Sequence, residues 1–351
     1  MDLKLKVFPA NHGDSFLISF KEGSNFRNIL IDGGTGRQSY RQLKEEFKKI
    51  KDSNQNIDLL IVTHCDDDHI KGIIDIFQDS SVDKTIIKEV WFNSGQLIAK
   101  RLEDPIEETD REIPLTMNNS KKKSINQGIT FEKELEKLGC WSQTLIMSLL
   151  QREIGNAKIT VLSPDLKKLK KLNKAWEVET DKRKQKSAVK TDYSIPIEEL
   201  LRNPFQEDDR LANGSSIAFI LEYKHYQILM LGDSHPSVVE YSLRELGYSE
   251  VNKLKVDIIK VSHHGSKYNT SVSLLNIIDC KDFIVSTDGK RHGLPNKECF
   301  ARILSTRQNE ERTTFYFNYS LNNIFLQNDY QQFDFNCEYL SQYGYIYELG
   351  E

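Results

Sequence analysis

A short segment with two histidines and three aspartates follows a run of apolar residues early in the chain. Residues 63–72 read Thr-His-Cys-Asp-Asp-Asp-His-Ile-Lys-Gly. The apolar run predicts a buried strand and the polar segment the loop at its end. In such a loop we expect His64 and Asp66 to reach one point. Asp68 and His69 would reach a second point close by. Imidazole together with carboxylate suits Zn, Mn or Fe, so the segment predicts a site for divalent metal.

Three further segments favour this metal site over a solvated acidic loop in which the histidines are incidental. The first, Ile-Leu-Ile-Asp-Gly-Gly, ends a predicted strand at Asp32 and continues into a turn that tolerates positive φ. The second delivers Asp233 at the end of another apolar run, where its carboxylate could bridge two metals. The third is an apolar strand followed by His263 and His264. Several strands therefore present metal-binding side chains at their ends.

The order of these segments resembles the metallo-β-lactamase superfamily of metal-dependent hydrolases. Within it, the chain is most similar to the soluble domain of DNA internalization-related competence proteins and to related phosphodiesterases. Residues 13–15, Gly-Asp-Ser, match an early Gly-Asp-Ser or Gly-Asp-Ala segment, and Asp32 opens the Asp-Gly-Gly turn. Residues 64–69 match a His-x-Asp-x-Asp-His loop. The resemblance implies an α/β protein with the αβ/βα four-layer sandwich of the metallo-β-lactamase fold.

The second half of the chain carries the remaining elements of the resemblance. An Asn-x-Ser-Ser element at 213–216 precedes the Gly-Asp at Asp233 and the His-His-Gly-Ser at His263. Near residue 295 the family element usually has His where this chain has Leu294 and Asn296. His292 would then serve the substrate from a neighbouring position.

A missing histidine affects the expected metal site. No histidine lies between His69 and His225. The ligand that many superfamily members take from that stretch would therefore be absent or replaced by Asn213, Ser215 or Ser216. One of two metal positions is expected to be weak.

The expected roles follow from the resemblance and from the donor types. Asp233 would bridge the two metal positions, and Asp32 would orient a ligand from outside the coordination shell. Adjacent residues on an extended chain point to opposite sides, so one of His263 and His264 would complete the second position. The other would be structural or lie close to the scissile phosphate as acid or donor. Asp68, Asp233 and His264 are the predicted catalytic residues.

The stretch from about 96 to 212 is longer than the core strands should need. It predicts an insertion within a single domain that covers residues 1–351. Leucines recur at every third position from 166 to 172 and predict an amphipathic helix with a basic face. Residues 182–186, Lys-Arg-Lys-Gln-Lys, continue the positive charge in a predicted loop. A solvated surface and a contact surface for a phosphate backbone are both compatible with this pattern.

Composition sets the broad class of the protein. The 351 residues are 38% hydrophobic, with a mean hydropathy of -0.54, which favours a soluble globular chain without a membrane partner. The N-terminus lacks the continuous apolar core of a signal peptide. Five scattered cysteines indicate reduced thiols and a cytoplasmic location. The formal net charge of -4 gives no general attraction for nucleic acid.

Three functional hypotheses remain at this point. The first is a phosphodiesterase or nuclease that uses water activated by one or two Zn or Mn ions and acts on a phosphodiester, including nucleic acid. The second is a metal-dependent hydrolase of another ester or amide, including a peptide in a partner protein. The third is a binding or regulatory module with an incomplete metal site, which the missing histidine would explain.

Overall fold

Two β-sheets face each other in the computed structural model of the protein, which describes residues 2–102, 119–177, 191–307, 311–321, 323–340 and 345–349. The first sheet contains, in spatial order, β16 (Tyr345–Leu349), β1 (Leu3–Val7), β2 (Phe16–Glu22), β3 (Asn25–Ile31), β4 (Leu59–Ile61) and β5 (Val90–Trp91). Its strands are antiparallel from β16 to β3 and parallel from β3 to β5.

The second sheet is larger and has a longer parallel part. In spatial order it contains β15 (Phe335–Tyr339), β14 (Thr313–Phe317), β13 (Asp282–Val285), β11 (Ile258–Lys260), β9 (Tyr226–Met230), β8 (Ala218–Tyr223), β7 (Ala157–Ser163) and β6 (Gln151–Ile154). The strands are parallel from β15 to β9 and antiparallel from β9 to β6. A separate short pair joins β10 (Leu254–Lys255) to β12 (Ile278–Asp279).

Helices connect the strands. They are α1 (Gly36–Asp52), α2 (Asp67–Gln78), α3 (Gly95–Leu102), α4 (Asn119–Leu138), α5 (Leu166–Glu177), α6 (Ile197–Leu200), α7 (Leu211–Gly214), α8 (Pro236–Glu245), α9 (Val272–Asn276), α10 (Lys297–Ser305) and α11 (Gln327–Gln332). None of the helices in these parts of the chain is both long and apolar enough to cross a membrane.

The apolar side chains separate into layers because strand residues alternate between two faces. In β3, Ile29 and Ile31 pack into a core between the two sheets, while Leu30 packs into an outer core with α1 and α2. In β11, Ile258 faces the inner core and Ile259 an outer core with helices α8 to α10. The order of layers is therefore helix, sheet, sheet, helix, as the sequence predicted.

The range predicted as an insertion also holds part of the core. Strands β6 and β7 lie within residues 96–212 and belong to the second sheet, with Ile159 and Val161 fully buried. Helix α5 forms as predicted, and its Leu169 and Leu172 pack against Ile98 of α3. The basic residues 182–186 lie outside the described residues. The limits of an insertion stay a prediction.

The parallel strands of both sheets end at one edge of the sandwich, where open α/β sheets bind ligands. Asp32 follows β3, and Asp233 follows β9. The loop after β1 reaches the same edge, where a Cβ on Gly13 would lie 1.8 Å from the backbone oxygen of Asp68. Only glycine permits this close approach. The topology thus collects the polar segments at one place.

Candidate metal centre

Four imidazoles surround the carboxylate of Asp233. The Nε2 atom of His69 lies 3.4 Å from Asp233 Oδ1. The Nε2 atoms of His64, His263 and His264 lie 3.8, 3.7 and 3.7 Å from Asp233 Oδ2. His64, His69, His264 and Asp233 are all buried. The position of Asp233 between them is compatible with the bridging role expected for it.

Among the described residues, four overlapping groups of three donors are compact enough to hold a cation, and two of these groups consist of predicted metal ligands. In the first, donor atoms of His64, His69 and Asp233 all lie within 4.8 Å of one another. In the second, the same holds for Asp68, His69 and His264. The Asp68 Oδ2 atom is 3.3 Å from His264 Nε2. His69 belongs to both groups, which differs from the expected division of His64 from His69.

Four donor atoms of this centre have no hydrogen-bond partner among the described residues. The Nε2 atoms of His64, His69 and His264 and the Oδ1 atom of Asp233 are buried and accept or donate no hydrogen bond. An unpaired buried polar atom costs about 1–3 kcal/mol. Nitrogen and oxygen donors of these types bind Zn and related divalent ions. The residues therefore fit a divalent cation.

Asp66 and His263 lie at the margin of the centre. Asp66 Oδ2 is 3.8 Å from His64 Nε2, and its side chain is 24% exposed. His263 is 12% exposed, against 3% for His264. The pairing of His64 with Asp66 matches the sequence expectation, and this margin is the more open side of the centre.

Asp32 fixes the orientation of the His69 ring from the side that faces away from the centre. Its Oδ2 atom accepts a hydrogen bond from His69 Nδ1 at 2.7 Å. Its two oxygens also accept from the backbone N–H and the hydroxyl of Thr63, at 2.8 and 2.7 Å. With Nδ1 carrying the proton, Nε2 of His69 is free to bind a cation.

The histidine pair departs from the sequence prediction. His263 and His264 both have left-handed backbone angles, with φ values of 46° and 55°. The chain is therefore not extended here, and the two imidazoles converge on Asp233 instead of pointing to opposite sides. Nδ1 of His264 donates to the carbonyl of Ser286 at 2.8 Å, which leaves its Nε2 facing the centre.

Two residues that the sequence analysis did not assign to the site lie beneath it. Asp14 is buried, and its Oδ1 atom lies 3.4 Å from His264 Nδ1. Lys260 is fully buried and ion-paired with Asp14. Its Nζ atom donates to the carbonyl of Gly232 at 2.8 Å and lies 3.8 Å from Asp233 Oδ1. The Gly-Asp-Ser segment pointed to Asp14 in the sequence, whereas no sequence pattern indicated Lys260, which lies in an apolar strand.

Asp208 is a third unassigned residue. Its Oδ2 atom lies 3.3 Å from Nδ1 of His263 and accepts from the side-chain amide of Asn213 at 2.6 Å. Burial would raise the pKa of the Asp208 carboxyl, but its hydrogen bond with His263 and the charge of that ring hold it well below the usual range. The residue stands in an acidic stretch with no motif, so no sequence pattern indicated it.

The three residues predicted as possible replacements for the missing histidine differ in whether they face the centre. Asn213 Nδ2 is 3.2 Å from His263 Nδ1, and its Oδ1 is buried without a hydrogen bond. Ser215 turns away and donates to the carbonyl of Ala212 at the end of α7. Ser216 contacts the centre instead, because its hydroxyl accepts from the backbone N–H of Asp233 at 3.0 Å.

His292 lies near the open side of the centre. It is exposed, with a left-handed φ of 58°. Partial enclosure of its ring and the positive charge of Arg210 lower its pKa, while the nearby carboxylate of Asp68 acts in the opposite direction. Its loop is tied to the centre, since Asn296 N–H donates to the carbonyl of Gly265 at 2.9 Å. This placement is compatible with contact to a substrate.

The charges of the centre are strongly coupled. Burial alone would lower the pKa of His264, but the charges of Asp233 and Asp14 raise it to about 10. Burial would raise the pKa of Asp233, whereas the charges of His69 and His264 hold it well below its usual range. Burial, with the charge of His69, lowers the pKa of His64. Without a metal, protonated imidazoles would balance the carboxylates.

Comparison with known proteins supports the fold. Residues 10–139 match the family model described as "Metallo-beta-lactamase superfamily", whose members are mostly metal-dependent hydrolases. Together with the layered sheets, this match identifies the metallo-β-lactamase fold. No curated protein sequence matches the chain significantly.

Two solved structures illustrate the range of similar proteins. The metallo-β-lactamase fold protein YhfI from Bacillus subtilis is 10% identical, with a TM-score of 0.40, and the alignment covers 99% of this chain and 100% of YhfI. CmlA, a diiron β-hydroxylase from Streptomyces venezuelae, is 11% identical with a TM-score of 0.39. That alignment covers 99% of this chain and 55% of CmlA, so the chain spans about half the length of CmlA. Scores this low carry no conclusion about activity.

Proposed function

We propose that the protein is a metal-dependent hydrolase of phosphodiesters that works with one or two Zn or Mn ions. The observation that carries the proposal is the convergence of three buried imidazole Nε2 atoms on Asp233, none of which has a hydrogen-bond partner in the part of the chain that the structure describes. When bound at such a site, a divalent ion acts as a Lewis acid and supplies hydroxide at neutral pH.

The protein's own side chains prepare the site for that chemistry. Asp32 and the Ser286 carbonyl each accept the Nδ1 proton of a histidine and so direct Nε2 of His69 and His264 to the centre. Asp68 and Asp233 contribute the negative charge that favours a cation. Burial of Asp233, His69 and His264 keeps bulk water from competing for them.

Basic side chains at the open side favour an anionic substrate. Arg210 begins the turn into α7, close to His263, and is exposed. Arg291 and His292 are exposed on the loop that packs against Gly265, where a Cβ would lie 2.8 Å from Pro295. His12 adjoins Gly13, which contacts Asp68. Partial enclosure and the charge of Arg291 lower the pKa of both His12 and His292, against the effect of Asp68, so these rings are neutral at neutral pH and the positive charge at this side is that of Arg210 and Arg291. A phosphodiester carries the complementary charge.

The exposed lysines of α5 extend the positive charge. Lys167, Lys170 and Lys171 are exposed on this helix, and its Lys168 contacts His235 at the start of α8. His235 Nε2 in turn lies 4.0 Å from Asp208, which faces His263, so this helix is linked to the His263 side of the centre and a polynucleotide bound there could extend along it. Among phosphodiesterases, a nuclease would therefore also bind its substrate through the exposed lysines of α5.

The test measures hydrolysis of bis(p-nitrophenyl) phosphate and of p-nitrophenyl acetate by metal-free protein with added Zn or Mn. We expect diester turnover that requires metal, is lost with chelator and is abolished in Asp233→Ala with an unchanged circular dichroism spectrum. Arg210→Ala and Arg291→Ala should raise KM for the diester and leave the neutral ester unaffected. Arg312→Ala, at the opposite end of the parallel strands, is the matched control. Turnover of the acetate alone would refute the phosphodiester proposal.

A further inference from the structure

Two aromatic side chains are exposed on segments that border the open side of the metal centre. Tyr268 is 43% exposed and Phe205 is 40% exposed. Tyr268 belongs to the loop after the histidine pair, and its carbonyl accepts from the backbone N–H of Asp208 at 3.0 Å. Phe205 lies three residues before Asp208, whose carboxylate is 3.3 Å from the His263 ring. Both aromatic residues are therefore connected to the His263 side of the centre.

The loop of Tyr268 lies between the two segments that carry the exposed arginines. On one side it is hydrogen-bonded to the residue two positions before Arg210. On the other side the backbone N–H of Lys267 donates to Asn296 Oδ1 at 3.0 Å, and Asn296 ends the loop that contains Arg291. The exposed aromatic ring is thus flanked by the positively charged segments that would attract an anionic substrate.

Polar contacts fix this loop in place. The residue after Tyr268, Asn269, is buried, and its side-chain amide donates to the carbonyl of Asp233 at 3.2 Å. The guanidinium of Arg302 donates to the carbonyl of Thr270 at 3.1 Å. The backbone beside Tyr268 is therefore anchored to the centre itself. A tyrosine on such a backbone offers a large contact surface with few side-chain torsions to restrict on binding.

A cation lies beside each ring. The Lys267 ammonium is 5.4 Å from the centroid of the Tyr268 ring, and the Arg302 guanidinium is 5.1 Å from the centroid of the Phe205 ring. Both cations are paired with the buried carboxylate of Glu298. The two rings are therefore neighbours of the same ion-pair network. Exposed aromatic rings combined with basic side chains are the means by which proteins bind single-stranded nucleic acid.

We infer that Tyr268 stacks on a nucleobase of the substrate, and that Phe205 stacks on a further base when the substrate is a polynucleotide. This inference rests on the proposed phosphodiesterase function and names its substrate class, a phosphodiester that carries a nucleobase. Arg210 and Arg291 would attract the phosphate, whereas the aromatic rings would bind the bases. Every base has a π-face, so this recognition tolerates different bases. A diester without a base would leave both rings exposed.

The test compares metal-dependent hydrolysis of thymidine 5′-(p-nitrophenyl phosphate) with that of methyl p-nitrophenyl phosphate, which has the same leaving group and no base. Wild type should prefer the nucleotide in kcat/KM, through a lower KM. Tyr268→Ala should reduce this preference about 10-fold, the change that a loss of about 1.4 kcal/mol of stacking produces. Tyr268→Phe should keep the preference, because stacking needs the ring and not the hydroxyl. Tyr241→Ala, at a tyrosine 61% exposed on α8, is the matched control.

A longer ligand tests the second ring. Phe205→Ala should weaken the binding of fluorescent oligothymidylate to the full-length protein, measured by anisotropy, with circular dichroism as the check on folding. Equal binding by wild type and Phe205→Ala would overturn the second stacking position. Wild type without a preference for the nucleotide, or Tyr268→Ala with the full preference, would overturn the inference while metal-dependent hydrolysis of the methyl diester stands. If neither diester were hydrolysed with metal, the proposed function would fail and the inference with it.

Discussion

Two buried lysine–aspartate ion pairs occur in the described part of the chain, and they have different surroundings. Lys297 is paired with Asp329, and both side chains are fully buried. The Lys297 ammonium also donates to the carbonyls of Ile195 and Tyr193, and the oxygens of Asp329 accept from two backbone N–H groups. Every polar atom of this pair is satisfied, and the pair ties α10 to α6 and α11.

The pair of Lys260 and Asp14 is buried to the same degree but remains open. Asp14 Oδ1 has no hydrogen-bond partner, and Lys260 lies within 3.8 Å of a second carboxylate, Asp233. Burial of an ion pair is therefore no mark of function in this protein. The functional site is distinguished instead by the buried polar atoms beside the Lys260–Asp14 pair, because these atoms have been desolvated without a hydrogen-bond partner among the described residues.

The largest effect on stability is expected at the satisfied pair. Lys297→Met would leave the Asp329 carboxylate buried without its cation and should lower the free energy of unfolding by about 3–5 kcal/mol. Urea denaturation measures this change. The double variant Lys297→Met with Asp329→Leu should recover much of the loss. The loss should be the same with and without metal, and diester turnover per folded molecule should not change.

The open pair should respond to metal. Lys260→Met removes the cation beside Asp14 and Asp233, and the metal-free variant should lose stability by the same mechanism. A bound divalent cation replaces part of the missing positive charge, so the loss should shrink when Zn is added. Urea denaturation with chelator and with Zn compares the two states. An identical loss in both would show that Lys260 is equivalent to Lys297.

A smaller effect concerns pH. In the metal-free protein the pKa of His264 is raised to about 10, so the ring is protonated at neutral pH. A raised pKa stabilises the folded metal-free protein fully below the unfolded value of about 6.5, and this contribution is lost as pH rises toward about 10. Metal needs the neutral ring, so its affinity should increase with pH and binding should release protons. Calorimetry in buffers of different ionisation enthalpy would detect the release, and its absence would contradict the raised pKa.

The smallest effect is expected for an exposed pair of the same residue types. Lys48 and Asp52 are paired one turn apart on α1, with side chains 75% and 59% exposed. Water and salt screen such a pair, so Lys48→Ala should change the free energy of unfolding by less than about 0.5 kcal/mol. A loss as large as that of Lys297→Met would show that burial does not control the energies of these pairs.

The sequence was most informative where one segment carries several site residues. His64, Asp68 and His69 follow a single strand, so the strand and the turn into α2 fix their relative positions. Asp233 was found because an apolar strand ends directly before it. The order of these segments was also enough to predict the layered fold, whose strands alternate as their apolar pattern indicated.

The remaining parts of the site depend on contacts between distant segments. Asp208 reaches His263 only after the loop before α7 has folded over the second sheet, and no local pattern encodes that contact. The convergence of His263 and His264 was missed because an extended chain was assumed, whereas the backbone is left-handed at both residues. Lys260 has the apolar sequence neighbours of a core strand, and only the folded structure brings its ammonium group next to the carboxylate of Asp14.

The centre lies at the edge where strands of both sheets end, and this position has a consequence for the unfolded chain. His69 lies in α2 after β4 of the first sheet, and Asp233 and His264 follow β9 and β11 of the second, so an ion held by them would be a cross-link between distant parts of the sequence. Closing so long a loop removes conformational entropy from the unfolded chain, as a disulfide does. All five cysteines are free. Bound metal would thus connect the segments that follow the two sheets, and the resistance of the protein to proteolysis should increase when metal is added.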